Sequence, residues 1–178
     1  NLDIVLGRRS KDAQAVARLV SAFFEEQEDL ADNWASLAGT RAKAGGDWQK
    51  ILQELCPSSG VVKQCFVAAR EGNILAAYPS PLSLLPDEQA LVGTVLQERG
   101  VEVSEVYLLE DQPALSFIAP IPQVSDLVLV NRVLLNAHPL FSEVGERFQG
   151  GGRGEQGFLL DARGRLIFPV SPALLSTP

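Results

Sequence analysis

Two cysteines, Cys56 and Cys65, lie close together in the chain and could form a disulfide bond. The Pro-Ser-Ser-Gly segment between them is typical of a turn, which would let the two thiols meet. A disulfide across such a loop would stabilise the fold by about 2–3 kcal/mol in the chain-entropy model. We therefore predict a Cys56–Cys65 disulfide, which would indicate an oxidising compartment. Two buried free thiols are the alternative.

No other residues form a recognisable catalytic or metal-binding pattern. The sequence has no GxSxG, HExxH, CxxC or Walker motif. Nothing in the sequence places Ser58 or Ser59 beside His138, the only histidine, and His138 is also far from the cysteines. Residues 152–157 match GxGxxG, but a strand is predicted after them instead of before, so we interpret them as a flexible joint. We expect no catalytic residue, no metal and no cofactor, and hence no enzyme.

The composition is that of a folded protein with an acidic surface. Of the 178 residues, 46% are hydrophobic and 21% are charged, and the formal net charge is −7. This negative charge argues against nucleic acid or an anionic membrane surface as a partner. No apolar run reaches the roughly 18 residues that indicate a transmembrane helix. Because the chain has no Met and starts at Asn1, we expect it to be an excised fragment.

The elements that would position a site begin with a long helix over residues 2–37. Apolar or small residues recur there at alternating steps of four and three, which is typical of a helix with a near-heptad stripe. Gly39 is the predicted end of this helix. One interpretation is that the stripe packs only on its own domain. A second adds that the helix leads to a membrane, relays a signal and pairs with its copy in a homodimer. The stripe consists of Leu2, Leu6, Ala13, Val16, Val20, Phe23, Leu30, Trp34 and Leu37.

After this helix the pattern predicts a short helix, a hairpin, a second helix and further strands. Asp47 is placed to cap the short helix, which ends near Leu55. The hairpin comprises residues 61–69 and 74–78, and Pro86 opens the next helix. The remaining predicted elements are strands over residues 101–109, 114–121 and 126–135, a helix around residues 139–148, and a second hairpin after the glycines of residues 150–154.

Three passages share a form with a known family: the hairpin VAAREGNILAAYP, the strand pair LSFIAPIP and LVLVNRVLL, and the hairpin GEQGFLLDARGRLIFP. Together with the element order, they resemble the extracytoplasmic Cache sensor domains, especially the double-Cache type with its PAS-like sheet. The resemblance implies an α+β fold, in which a PAS-like antiparallel five-stranded sheet packs on a long N-terminal helix and a second hairpin lies at the C-terminus. It divides the chain into residues 1–149, the helix and sensor domain, and residues 150–178, a joint and the start of a second, membrane-proximal repeat.

The same resemblance implies a function. It indicates the periplasmic or extracellular ligand-sensing domain of a bacterial membrane receptor, whose output module would be a histidine kinase, a diguanylate cyclase or a chemoreceptor. Any membrane contact would be made by flanking segments outside this sequence. The alternative is a dimerisation or protein-contact module of the same architecture that binds no small molecule.

The resemblance also bears on the ligand. The family's amino-acid-binding members carry an Arg and a Trp-Tyr cluster near the second helix. Residues 88–105 contain no Trp, and Arg99 and Tyr107 do not complete that pattern, so an amino-acid ligand is not supported.

Residues that point into a PAS-like pocket should be polar positions within apolar strands. Because side chains of a strand alternate between faces, Asn131 and Arg132 cannot both point into one pocket. The family places a ligand-gripping polar residue near the end of this strand, which favours one of the pair, and Arg132 would suit a carboxylate ligand. The predicted ligand-binding residues are Tyr78, Tyr107, Ser116, Asn131 and Arg132.

Overall fold

The computed structural model describes residues 4–5, 10–79, 83–141, 158–160 and 166–168 of the chain. Most of the predicted elements are present, and apart from the long N-terminal helix their bounds lie within a few residues of the sequence pattern. In chain order the helices and strands are β1 (Ile4–Val5), α1 (Ser10–Lys43), α2 (Trp48–Leu55), β2 (Val62–Ala69), β3 (Ile74–Tyr78), α3 (Pro86–Glu98), β4 (Glu102–Val103), β5 (Tyr107–Leu109), β6 (Gln112–Pro120), β7 (Leu127–Leu134), β8 (Phe158–Leu160) and β9 (Leu166–Phe168).

Helix α1 begins later and ends later than the sequence pattern predicts. The pattern predicts helix from residue 2, but Ile4–Val5 form β1, which pairs antiparallel with β8. At the other end, α1 continues through Gly39 to Lys43. A Cβ atom on Gly39 would lie 2.7 Å from Ile121 Cγ2, which is too close for any larger residue. Gly39 therefore allows close packing and does not end the helix.

The end of α1 is instead formed by two later glycines. The N–H of Gly46 donates to the carbonyl of Arg41 at 2.9 Å. Gly45 has a φ of +93°, the left-handed conformation that glycine adopts without steric cost. Asp47 then caps α2 as predicted, because its Oδ1 accepts the N–H of Gln49 at 2.8 Å.

The main sheet has β7, the strand predicted over residues 126–135, at its centre. The strands are ordered β3-β2-β7-β6-β4, and β5 also pairs with β6. The α+β fold, with a long N-terminal helix and an antiparallel sheet, is therefore confirmed, although the sheet has six strands instead of five. Strand β7 is buried from Leu127 to Val133, which explains why it is the most apolar run of the sequence.

The sixth strand arises because the segment over residues 101–109 forms two short strands. β4 pairs Val103 with Phe117 of β6, whereas β5 pairs Tyr107 with Ala114. Val103 and Tyr107 are four positions apart, whereas their partners on β6, Phe117 and Ala114, are three positions apart. The segment between β4 and β5 therefore contains one extra residue. A one-residue insertion of this kind is a β-bulge, which interrupts a ladder and bends the strand.

The chain divides into two compact units. One comprises Asn1–Glu25, Val106–Ala114 and Leu134–Pro178, and the other comprises Glu26–Glu105 and Leu115–Val133. In the second unit, one face of the sheet packs against α3, and we call it the α3 face. Its core residues are Phe66, Ala68, Ala77, Ile118, Val128 and Val130 of the sheet with Val92, Val95 and Leu96 of α3.

The first unit has a sheet of its own in the order β1-β8-β9. Strands β8 and β9 pair antiparallel and form the predicted second hairpin. An aromatic cluster also lies in this unit: the ring of Phe23 is 5.0 Å from that of Phe141 and 4.9 Å from that of His138, both edge-on. The predicted helix around residues 139–148 lies mostly outside the described residues, and the joint at residues 150–154 lies wholly outside them.

Candidate ligand-binding site

A buried ion pair joins Arg132 of β7 to Glu88 of α3 on the α3 face. Arg132 Nη2 donates to Glu88 Oε1 at 2.6 Å, and Nε donates to Oε2 at 3.0 Å, so the contact is bidentate. The two side chains are only 5% and 0% exposed. Bidentate, charge-assisted hydrogen bonds of this kind are stronger than neutral ones and fix the geometry of both groups.

Further N–H groups of Arg132 are also bound. Nη1 donates to Gln64 Oε1 at 2.8 Å, and Nη2 donates to the carbonyl of Ser83 at 2.6 Å. The guanidinium carbon lies 4.9 Å from the centroid of the Phe66 ring, in a cation–π contact. Gln64 is directly opposite Arg132 in the pairing of β2 with β7, which places both side chains on one face. The guanidinium is therefore held by side chains, backbone and a ring together.

The carboxylate of Glu88 also has partners on both oxygens. Oε1 accepts the backbone N–H of Leu85 at 2.8 Å, and Oε2 accepts the hydroxyl of Ser116 at 2.6 Å. The bond to Leu85 is one half of a capping box at the start of α3, where the helix dipole favours a negative charge. Glu88 therefore has two roles, since it caps α3 and holds Arg132.

Ser116 connects the ion pair to the bulge between β4 and β5. Its N–H donates to the hydroxyl of Ser104 at 2.8 Å, and the N–H of Ser104 donates to the carbonyl of Ser116 at 2.9 Å. The hydroxyl of Ser104 donates in turn to the carbonyl of Glu105 at 2.8 Å. We call the following five buried residues the Arg132 cluster: Arg132, Glu88, Gln64, Ser116 and Ser104.

Most of the buried polar side chains in the described part of the chain belong to this cluster. Seven such residues are buried there, and the two outside the cluster are Gln27 and Asn131. Within the same residues, no group of three or more His, Cys, Asp or Glu side chains could hold a metal ion. None of the helices described combines the length and apolar composition that a bilayer crossing requires. The Arg132 cluster is therefore the strongest candidate site.

Two of the predicted ligand-binding residues, Arg132 and Ser116, come together at Glu88. Neighbouring residues of β7 point to opposite faces, and Arg132 is the one that faces α3. Asn131 points to the other face, where it is directly opposite Cys65 of β2. Its side-chain amide is 1% exposed and has no hydrogen-bond partner among the described residues.

The other two predicted residues, Tyr78 and Tyr107, do not belong to the Arg132 cluster. Tyr78 is half-buried at the end of β3, and its pairing with Cys65 places it on the same face as Asn131. Tyr107 is half-buried on β5 and belongs to the other compact unit. The sequence prediction therefore combined residues of two faces and two units.

Glu88, Gln64 and Ser104 are the residues of the Arg132 cluster that the sequence prediction missed, and the first two could have been found from the sequence. Glu88 is in the acidic first turn of α3, a position that usually faces water. It precedes Val92 by one helical turn, however, and so belongs to the apolar face of the helix. Gln64 alternates with Val62 and Phe66 and is a polar position on the buried face of β2. Both patterns are visible in the sequence.

Cys56 and Cys65 are neighbours in the structure, and both thiols are buried and free. Cys56 Sγ is 3.9 Å from the carbonyl oxygen of Tyr78, the residue that is opposite Cys65 in the sheet. The hydrogen bond between the thiols, followed by burial, raises the pKa of Cys65, and the same hydrogen bond lowers the pKa of Cys56. The disulfide is not formed in this structure and stays a prediction, since the thiols are within hydrogen-bonding reach.

Sequence comparison gives no assignment, because no protein-family model and no curated protein matches the chain. The chain is similar in structure to the ligand-binding domain of the Pseudomonas fluorescens chemoreceptor CtaA, crystallised in complex with L-alanine. The TM-score is 0.64 at 16% identity, covering 92% of this chain and 72% of that chain. It is also similar to the Bacillus subtilis YkuI protein, which has an EAL domain and was crystallised with its substrate c-di-GMP and calcium. Here the TM-score is 0.50 at 14% identity, covering 70% of this chain and 36% of that chain.

At these identities the comparisons show a shared fold. The chain spans about a third of the length of YkuI and most of the CtaA ligand-binding domain. The fold predicted from the resemblance to sensor domains is thus confirmed, and the double-Cache assignment stays a prediction. The EAL domain belongs to YkuI and gives no argument about activity in this chain.

Proposed function

We propose that this chain is the extracytoplasmic ligand-sensing domain of a bacterial transmembrane receptor, and that it binds a small molecule on the α3 face. The observation that carries the proposal is the Arg132 cluster, in which a cation, an anion, an amide and two hydroxyls are buried between the sheet and α3. The fold shared with a chemoreceptor ligand-binding domain supports it. The output module would be a histidine kinase, a diguanylate cyclase or a chemoreceptor, and the chain itself has no enzymatic role.

A carboxylate is the ligand chemistry that fits this cluster best. Arg132 already binds one carboxylate, that of Glu88, through two hydrogen bonds. Charged contacts are strengthened where water is excluded, and Arg132 is 4% exposed. L-alanine, with which the CtaA domain was crystallised, also carries a carboxylate. The absence of Trp from residues 88–105 argues against amino acids, so the test must include both amino acids and simple carboxylates.

Signal relay would pass through the sheet to α1. Helix α1 packs closely at Gly39 against Ile121, the residue that follows β6. A ligand that binds one arrangement of the sheet better than another would shift the population toward that arrangement, and α1 would move with it. Leu19 and Leu37 of α1 are 37% and 40% exposed, which supports a homodimer contact along this helix. The division into residues 1–149 and 150–178 belongs to the same proposal.

A contact module that binds no small molecule is the second candidate, and one observation favours it. The chain itself already supplies further hydrogen-bond partners to both members of the ion pair. Arg132 donates to Gln64, and each oxygen of Glu88 accepts a hydrogen bond from another residue. A cluster satisfied in this way can specify one packing of α3 without any ligand.

Thermal-shift measurements and calorimetry on the chain distinguish the two candidates. The panel contains L-alanine, other amino acids, monocarboxylates, dicarboxylates and the neutral amides of the same acids. Under the sensing proposal at least one carboxylate stabilises the fold by about 2.7 kcal/mol at a hundredfold excess over its Kd. That corresponds to a rise in Tm of roughly 5–11 °C for a chain of this size.

The matched control for this measurement is a second arginine. Arg70 forms an exposed ion pair with Asp126, and its side chain is 52% exposed. Arg70→Met should therefore respond to the ligand like the wild type, whereas Arg132→Met should not respond. A panel in which no compound changes Tm would refute ligand sensing by this site and favour the contact module.

A further inference from the structure

We infer that Glu88 is an internal ligand, whose carboxylate occupies a carboxylate-binding site centred on Arg132, and that an external carboxylate binds by taking its place. This inference rests on the proposed function and adds a mechanism to it. Glu88 would then cap α3 only in the ligand-free state, because an external carboxylate would displace its side chain from the site.

The partners of Glu88 form a set that suits a free carboxylate equally well. Its two oxygens receive two N–H groups of Arg132, one backbone N–H of Leu85 and one hydroxyl of Ser116. Guanidinium, backbone amide and hydroxyl donors that converge on one buried position are how proteins recognise carboxylates. A small carboxylate in this position could accept hydrogen bonds from the guanidinium of Arg132 and the hydroxyl of Ser116, the two donors that lie on the sheet.

Charge balance favours exchange over addition. The cluster contains one cation, Arg132, and one anion, Glu88, and both are nine-tenths or more buried. A second carboxylate beside Glu88 would place two anions on one buried cation, which is electrostatically costly. If the ligand replaces Glu88, the buried site keeps one cation and one anion, and the charge of Glu88 is transferred to water.

Glu88 lies at the start of α3, among residues that are exposed to water. It lies in the first turn of α3, where its neighbours Pro86 and Asp87 are exposed. Ser83, whose carbonyl accepts from Arg132, is also exposed. On leaving the site, Glu88 would give up its bond to the N–H of Leu85 and loosen the start of α3. Ligand binding would thereby be linked to the end of one helix.

The first test uses Glu88→Ala, with propionate as the probe because it has the same three carbons as the Glu88 side chain, of which the substitution keeps only Cβ. Propionate should raise the Tm of this variant in a saturable manner and by more than it raises that of the wild type. Sodium chloride at equal ionic strength and propionamide should have no such effect. Asp126→Ala is the matched control, since it removes a carboxylate from an exposed ion pair and should show no rescue. Absence of rescue in Glu88→Ala would overturn the inference.

Should Glu88→Ala stay unfolded in chloride, its refolding yield from urea is measured with propionate and with propionamide. A higher yield with propionate supports the inference, and equal yields overturn it.

The second test uses Glu88→Gln, which keeps the size of the side chain and removes the competing anion. This variant should bind propionate at least about tenfold more tightly than the wild type, because no internal carboxylate must first be displaced. Equal or weaker binding would overturn the inference. If the wild type binds a neutral ligand while Glu88→Ala is not rescued by propionate, the inference fails and the proposed function stands.

Discussion

Removing Arg132 alone should destabilise the chain much more than removing a surface arginine. Arg132→Met leaves the carboxylate of Glu88, whose side chain is 0% exposed, buried without its cation. The loss of one partner of a buried ion pair costs about 3–5 kcal/mol. Native proteins have stabilities of about 5–15 kcal/mol, so a loss of this size is a large share of the total and the variant should be clearly weakened.

The double variant Glu88→Leu/Arg132→Met tests the cause of this cost. It removes both charges, so no uncompensated charge remains, although Ser116 and Gln64 lose partners. We expect its loss of stability to be about 2–4 kcal/mol smaller than the sum of the losses in the two single variants. Additive losses would show that the two residues contribute independently and that their pairing has no energetic importance.

Urea unfolding followed by circular dichroism at 25 °C measures these differences, provided that the m-value is the same for each variant. Arg70→Met is the matched control, because its ion pair with Asp126 has a similar N–O distance of 2.9 Å but is more than half exposed. Removing an exposed pair costs about 0–1 kcal/mol. If Arg132→Met loses no more stability than Arg70→Met, burial does not make the Arg132–Glu88 pair important for stability.

Three further predictions concern other parts of the fold. Phe23→Ala should cost about 3–5 kcal/mol in urea unfolding, because this ring is 1% exposed and packs on the rings of Phe24, His138 and Phe141; an unchanged midpoint would contradict its place in a core. Gly39→Ala should cost about 1–3 kcal/mol through overpacking, whereas Gly93→Ala, a helical glycine with open space around it, should stabilise by up to about 1 kcal/mol; the opposite order would show that Gly39 is not closely packed. Intact-mass analysis of air-purified protein should find two hydrogens missing through a Cys56–Cys65 disulfide, and two alkylatable thiols after unfolding would disprove it.

Local patterns predicted the elements that depend on local sequence. The cap at Asp47, the first hairpin and α3 are set by turn chemistry and by apolar periodicity within a few residues, and the sequence contains that information. The short strand β1 depends on pairing with β8, more than 150 positions away, so no local pattern indicates it. The bulge between β4 and β5 likewise depends on how the segment pairs with β6.

The site was predictable only in part for the same reason. A polar residue in an apolar strand indicates a buried polar group, and Arg132 and Ser116 were found in this way. The partner of such a group depends on the tertiary structure. From the sequence alone we predicted an external carboxylate for Arg132, whereas in the structure Arg132 binds the carboxylate of Glu88. Alternation showed that Asn131 and Arg132 differ in direction, but only the position of α3 decides which of them faces it.

The ion pair also has a consequence for the order in which the chain folds. Arg132 is 44 positions from Glu88 and 68 positions from Gln64, so the contacts close long loops. Contacts of this length are entropically costly to form early, and they follow local structure. During synthesis from the N-terminus, α3 and β2 emerge first, with Glu88 and Gln64 still open to water. Only when β7 is released and pairs with β2 does the cation arrive, so burial of Glu88 marks the moment at which this half of the protein is complete.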